Sequence, residues 1–270
     1  MEPFFGAQAR GALAGDKRGA EGGQQQGGGA AAGMAAKVLA VYGATGQTGR
    51  EIVKEALARG LSVRACCVRD PEKARRVLGA PEGLEVLQGQ LSSAADVAAG
   101  LEGASFAISC VGGPHFWTGG VRNYDRGYVL RFVKLLAAAC QEHGVQRLIC
   151  QGGAMNAKPT PPQSLWEGWQ RACNCMMRCL GMPFLIGLHP VIADNTAVAY
   201  YLHQECGDLD FVFTMPGLIK DKPSAGTLRA STTVGQTVHY VDLARFTLDA
   251  LADPALARQF VYLAYPGLSC

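Results

Sequence analysis

The residues best suited to chemistry are Gly43-Ala44-Thr45-Gly46-Gln47-Thr48-Gly49, three glycines at three-residue spacing between an apolar run and an amphipathic one. Glycines there let the backbone turn tightly and approach a diphosphate closely. The anion's charge then rests on free N–H groups at the positive end of the following helix. Thr45 and Thr48 add hydroxyl donors. A second group, Val68-Arg69-Asp70-Pro71-Glu72-Lys73, stands about 20 residues on, where a dinucleotide site selects its ribose. Asp70 precedes Pro71, a favoured first helical residue, so its carboxylate is expected to cap that helix and leave Arg69 and Lys73 for a 2′-phosphate. The expected cofactor is therefore NADP(H). Cys173, Cys175 and Cys179 supply only three thiols, of which two share a helix face, so no metal site is expected.

Such groups need a rigid scaffold, and the apolar pattern supplies one. KVLAVYG (37–43) is continuously apolar, as strands covered on both faces are. GREIVKEALARG (49–60) puts Ile52, Val53, Ala56 and Leu57 on one helical face. The alternation continues through SVRACCV (62–68), a helix from Pro71, LEVLQG (84–89), a helix from about Ser93, SFAISCV (105–111), a helix over 124–143 and RLICQG (147–152). Residues 156–190 read as a proline-rich loop and an amphipathic helix inserted after the fifth strand. Asp194 is expected to N-cap a helix to Glu205, followed by a strand at 209–215, a helix at 242–252 and a strand at 259–265. Strands alternating with helices imply an α/β fold, a Rossmann-type doubly wound parallel sheet with helices on both faces.

Composition narrows the class. The chain has 270 residues, 49% hydrophobic and 17% charged, which suits a packed domain and not a disordered one. Ten of its 35 glycines fall in residues 1–33, a Gly/Ala/Gln-rich stretch expected to be a disordered tail, with 34–270 a single NAD(P)-binding domain. A net charge of +3 argues against nucleic acid as a partner. No apolar run reaches membrane-spanning length. Ten cysteines scattered through apolar runs read as reduced core thiols, hence a cytoplasmic location.

VYGATGQTG, VRDPEKA, GQLSSAADV, HGVQRLI and LDFVFTMPGLIKDKPSAGTL together resemble the NmrA-like atypical short-chain dehydrogenases, closest to their biliverdin-IXβ reductase and flavin reductase branch. The likeness covers about 36–155 and 191–265. It implies that Gly43, Thr45, Gly46, Gln47, Thr48 and Gly49 hold the diphosphate and that Arg69 and Lys73 hold the 2′-phosphate. Gln90 and Leu91 would flank adenine, with Cys110, Val111 and Gly112 after the fourth strand, while Pro216, Gly217, Leu218 and Ile219 would approach the nicotinamide.

Three departures stand out. Gln90 replaces an aspartate, Cys150-Gln151-Gly152-Gly153 lacks the serine that follows the fifth strand, and Leu218 replaces a histidine. Nor does Tyr124, Tyr128, Tyr200, Tyr201 or Tyr240 precede a lysine by four residues, so the Tyr-x-x-x-Lys dyad of carbonyl reduction is missing. What remains is hydride transfer to a planar acceptor of flavin, bilin or quinone type, which needs mainly the stacking of two planes. Candidate proton donors are His115, Tyr201 and His203, and Trp117, Trp166 and Trp169 are candidates to cover the substrate. The alternative is an NADP(H)-sensing regulatory protein of the NmrA-like type, which would have a protein partner.

Overall fold

A computed structural model describes residues 37–112, 124–163, 165–180, 189–232 and 237–266. Strands β1 (Val38–Tyr42), β2 (Ser62–Val68), β3 (Leu84–Gln88), β4 (Phe106–Ser109), β5 (Arg147–Gln151), β6 (Phe211–Met215) and β10 (Gln259–Ala264) pair in parallel in the order β3-β2-β1-β4-β5-β6-β10. Strand order reverses between β1 and β4, and ligands of open α/β sheets bind at such a switch point, beyond the carboxyl ends of the strands. The expected α/β doubly wound sheet is the observed one.

Successive side chains of β1 explain the layering. Leu39 and Val41 point into one core with Ile52 of α1 (Gln47–Ala58), Ala74 of α2 (Pro71–Leu78) and Leu243 of α7 (Tyr240–Asp249). Ala40 and Tyr42 point into the other, with Val97 of α3 (Ala94–Ala99), Phe132 and Leu136 of α4 (Tyr128–Glu142) and Val198 of α6 (His189–Glu205). Tyr42 is fully buried, and its hydroxyl donates to the Val97 carbonyl at 2.6 Å, which satisfies the polar end of an otherwise apolar side chain.

Three features differ from the sequence expectation. Strand β8 (Arg229–Ser231) joins the sheet antiparallel to β10, and β7 (Ile219–Lys220) pairs with β9 (Val238–His239) in a separate two-stranded ladder. These strands have two or three residues, too few to show a period of two. The helix expected from Asp194 begins instead at His189, which places Asp194 inside α6.

The Asp194 carboxylate caps a different helix. Gly127 precedes α4 with no side-chain cap of its own, and Asp194 accepts from the Val129 N–H at 2.9 Å, the Leu130 N–H at 3.0 Å and the Tyr124 hydroxyl. Only 4% of Asp194 is exposed, so these bonds are made largely out of water. Asp194→Ala is expected to destabilise the protein by about 2–3 kcal/mol, as loss of a buried cap with several donors does. Calorimetry should show the melting temperature fall by roughly 4–12 °C.

The inserted segment carries helix α5 (Leu165–Cys179). Its anchor is ionic. Glu167, fully buried, bonds Lys158 Nζ at 3.1 Å, Arg171 Nη2 at 2.6 Å and the Gln163 N–H at 2.7 Å. Burial pushes the Glu167 carboxyl upward, but these donors outweigh it and hold its pKa below the ordinary carboxylate range. Burial also pulls the Lys158 ammonium below its usual value.

Candidate dinucleotide site

The glycine turn has the geometry that its spacing implies. Gly43 sits at φ +82°, and a Cβ there would lie 3.0 Å from the Cys110 carbonyl carbon and oxygen, so β1 turns hard against the end of β4. A Cβ on Gly49 would lie 2.2 Å from the Gly43 oxygen, so the first turn of α1 rests directly on the turn before it. Gly46 caps α1 with no side-chain bond, and the helix has no acid in its first turn, which leaves the positive N-terminus free to receive an anion. Around Gln47 and Thr48 the side chains are tied down. The Tyr240 hydroxyl donates to Gln47 Oε1 at 2.6 Å, and Thr48, buried, lies 3.4 Å from Gln151 Nε2.

Beside this turn opens a cavity of about 1030 Å³. Gly43, Thr45, Arg69, Gln90, Leu91 and Gly112 all line it, gathered from the ends of β1 to β4. Asp70 Oδ1 accepts from the Lys73 N–H at 2.9 Å, so the carboxylate caps α2 as its position before Pro71 implies. Arg69 reaches the cavity wall, whereas Lys73, one turn into α2, does not line it. The loop holding Gln90 is fixed from α3. Ser93 Oγ accepts the Asp96 N–H at 3.2 Å, and Asp96 Oδ2 accepts the Gln90 N–H at 2.8 Å.

Several lining residues were not among the sequence candidates. Tyr124 and Asp125 come from the segment before α4, and Tyr128 is its first residue. Cys66 and Cys67 line the cavity together, although neighbours on a strand normally face opposite ways. The register explains it. Ala65 pairs with Val86 but Val68 with Gln88, so β2 holds one extra residue, and Cys67 takes φ +53° at that bulge. Burial pushes the Cys66 thiol up to about 12 and the Cys67 thiol up to about 11, which favours the protonated thiol at both. A bulge of one residue leaves no mark in an apolar run such as SVRACCV, whereas Tyr128 could have been found as the residue just before the α4 apolar stripe.

Other sequence candidates lie elsewhere. Cys110 and Val111 back the glycine turn without lining the cavity, and Pro216 to Ile219 stand beyond β6, with Leu218 64% exposed. Tyr201 and His203 are corrected. Tyr201 packs beneath Lys134 Nζ, 5.0 Å from its ring centre, and the His203 ring lies 6.0 Å from that of Phe260, at the amino end of β10. Both therefore sit at the end of the sheet opposite the cavity, because α6 runs back down to the start of β6. Trp169 is 61% exposed on α5 and does not line this cavity. His115 and Trp117 lie outside the described residues, as does the Trp166 side chain.

Of the two glycines that follow β5, Gly152 is closely packed, whereas a Cβ on Gly153 would meet only Asn156 Oδ1, at 3.7 Å. A Cβ on Gly152 would lie 2.4 Å from ring carbons of Phe213 and 2.8 Å from Asn156 Oδ1, so no side chain fits there. Asn156 fills the space, accepting the Gly153 N–H at 2.6 Å and donating to the Ile192 carbonyl at 3.0 Å.

An uncapped helix end, two glycines that tolerate no Cβ and a cavity at the strand-order switch fit a dinucleotide. The signature of the NAD(P)H-binding family matches residues 43–254. The chain belongs to that family. Its cofactor is accordingly a nicotinamide dinucleotide, whose nicotinamide ring exchanges hydride when bound. The fold is shared with ChuY, an anaerobillin reductase of Escherichia coli O157:H7 (19% identity, TM-score 0.64, covering 87% of this chain and all of that one). It is shared too with a short-chain dehydrogenase/reductase of Veillonella parvula in complex with NADP (12% identity, TM-score 0.60, 86% of this chain and 95% of that one). An uncharacterised chloroplast protein of Arabidopsis thaliana is 33% identical over 115 residues, which span 42% of this chain and 40% of that protein. Among the described residues no helix is long and apolar enough to cross a membrane.

Proposed function

We propose that this family member is an NADPH-dependent reductase that passes hydride to a planar conjugated acceptor of flavin, bilin or quinone type. The observation that carries the NADPH part is the division of labour after β2. Asp70 is taken up as the α2 cap while Arg69 stands at the cavity, so a 2′-phosphate meets a cation and the ribose meets no free acid at that position. The glycine turn and the α1 N-terminus bind the diphosphate, and Leu91 and the Gln90 backbone border the base.

Support for the acceptor class is chemical. The chain has no Tyr-x-x-x-Lys pair, and Gly152 leaves no hydroxyl after β5, so a carbonyl oxygen would find no matched proton donor there. A reduced flavin or quinone anion takes its proton from water. ChuY's reductase activity agrees with this reading. Free thiols at all nine cysteines described agree with a reducing, cytoplasmic compartment.

One observation favours a second reading. Gly152 and Gly153 follow β5 with no hydroxyl between them, which suits a sensor that binds NADP(H) and signals its state to a partner without turnover. Steady-state NADPH oxidation with FMN, a bilin and a quinone separates the two. Turnover with any of them supports the reductase, and tight NADPH binding with no turnover for all of them leaves the sensor. In the same assays Arg69→Ala should lower the ratio of NADPH to NADH affinity at least about tenfold, the loss of one charge-assisted bond. An unchanged ratio refutes the 2′-phosphate assignment.

A further inference from the structure

Helix α5 is amphipathic in the inverted sense. Its charged residues Glu167 and Arg171 join the buried ionic anchor, while Leu165 is 96%, Trp169 61%, Met176 54% and Leu180, just past its end, 69% exposed. At 100° per residue these four apolar side chains fall within about 60° of one another. Ala172, Cys175 and Cys179 are exposed beside them and Cys173 is half-buried, so no charge stands among the described residues of this face. A contiguous apolar stripe of this kind marks a contact surface.

The order of the stripe indicates what covers it. The intervals from Leu165 to Trp169 to Met176 to Leu180 are four, seven and four, which read the same in both directions about a midpoint between Ala172 and Cys173. A two-fold interface requires a surface that complements its own reversed copy. We propose that α5 is a dimer interface, on which a second copy of this chain lays its own α5 antiparallel across an axis at Ala172 and Cys173.

Leu165 of one copy then meets Leu180 of the other, and Trp169 meets Met176, a favourable contact of thioether and aromatic ring. Small residues at the crossing let the helices approach closely. At side-chain areas on the order of 150–250 Å², the exposed fractions amount to roughly 500 Å² per copy. A pair therefore buries about 1,000 Å² in total, the lower bound for a specific interface. The charge pattern agrees, because a two-fold axis brings each charge near its own image, and this face carries none. This inference does not depend on the acceptor or on turnover.

Sedimentation velocity of the full chain tests it. The expected result is a concentration-dependent dimer whose dissociation constant rises at least about 100-fold in Met176→Asp, which sets two carboxylates in the apolar contact. Met176 is more than half exposed and outside the cavity, so the variant should keep its far-ultraviolet circular dichroism and its NADPH affinity. A second measurement leaves Met176 intact. With Cys175, Cys179 and Cys270 changed to serine, a short bis-maleimide should join the two copies through Cys173, near the axis. A monomer at every concentration overturns the proposal. So does a dimer indifferent to Met176→Asp, absence of the Cys173 cross-link, or a monomer that floats with phosphatidylcholine vesicles, which would give the stripe to a membrane surface.

Discussion

A Gly49→Ala variant is expected to lose about a thousandfold in NADPH affinity while keeping its fold. The added methyl would sit 2.2 Å from the Gly43 oxygen and 2.8 Å from the Ala44 Cα, both backbone atoms with no rotamer to yield. The first turn of α1 must therefore move away from β1. That turn carries the free N–H groups of an uncapped helix, and each charge-assisted bond to a diphosphate contributes about 1.5–3 kcal/mol, so displacing two or three of them removes about 4 kcal/mol. Overpacking itself costs about 1–3 kcal/mol of stability, which a domain of ordinary stability survives. Titration calorimetry with NADPH and a thermal melt without nucleotide separate the two effects. Unchanged affinity with a lowered melting temperature would mean that the diphosphate does not rest on this turn.

The second large effect is at Glu167. Glu167→Ala leaves the Lys158 ammonium, 3% exposed, and the Arg171 guanidinium without their shared counter-charge, and breaking a buried ion pair on one side costs about 3–5 kcal/mol. A fall in melting temperature of roughly 6–20 °C should follow, with faster proteolysis within residues 156–180. Changing Lys158 to Met in the same chain should restore part of the loss, because the desolvated cation is then gone. The pH dependence has a definite sign. The folded pKa of Glu167 is depressed, so its contribution is fully present above the unfolded value of about 4.3 and is lost as the pH falls through the folded value. Asp242 behaves alike: burial raises it, but bonds from Ser224, the Ala225 N–H and Tyr265 outweigh that and depress it. Acid should thus loosen the inserted segment and the loop over α7, and the Glu167→Ala protein should lose part of this acid sensitivity. Equal melting temperatures for variant and parent would refute the anchoring role.

The local signals in the sequence carried most of the sheet and several of the residues that line the cavity. Gly43, Gly46 and Gly49 are legible because a tight strand-to-helix turn depends on neighbours within seven residues, and the Asp70 cap is legible because it lies three residues from its donor. Asp194 misled for a related reason. Its type and place before an apolar stripe suit a cap, but the N–H groups it serves belong to a helix 64 and 65 residues earlier. Tyr201 and His203 had the right chemistry, but only the direction of α6 shows at which end of the sheet they fall.

Helix α5 shows the same limit. Its periodicity announces an amphipathic helix, and an apolar face ordinarily points inward. Here Lys158, Glu167 and Arg171 pair inside, so the apolar face points outward. By itself, then, the sequence determined the α/β order of elements, the glycine turn and the basic residue at the second strand, since each follows from contacts along one element or between neighbours. Only the tertiary structure decided the bulge that puts Cys66 and Cys67 on one wall, the packing of Phe213 that excludes a side chain at Gly152 and the orientation of α5. Those depend on which residues, distant in the chain, arrive at the same place, and no spacing along the chain encodes that.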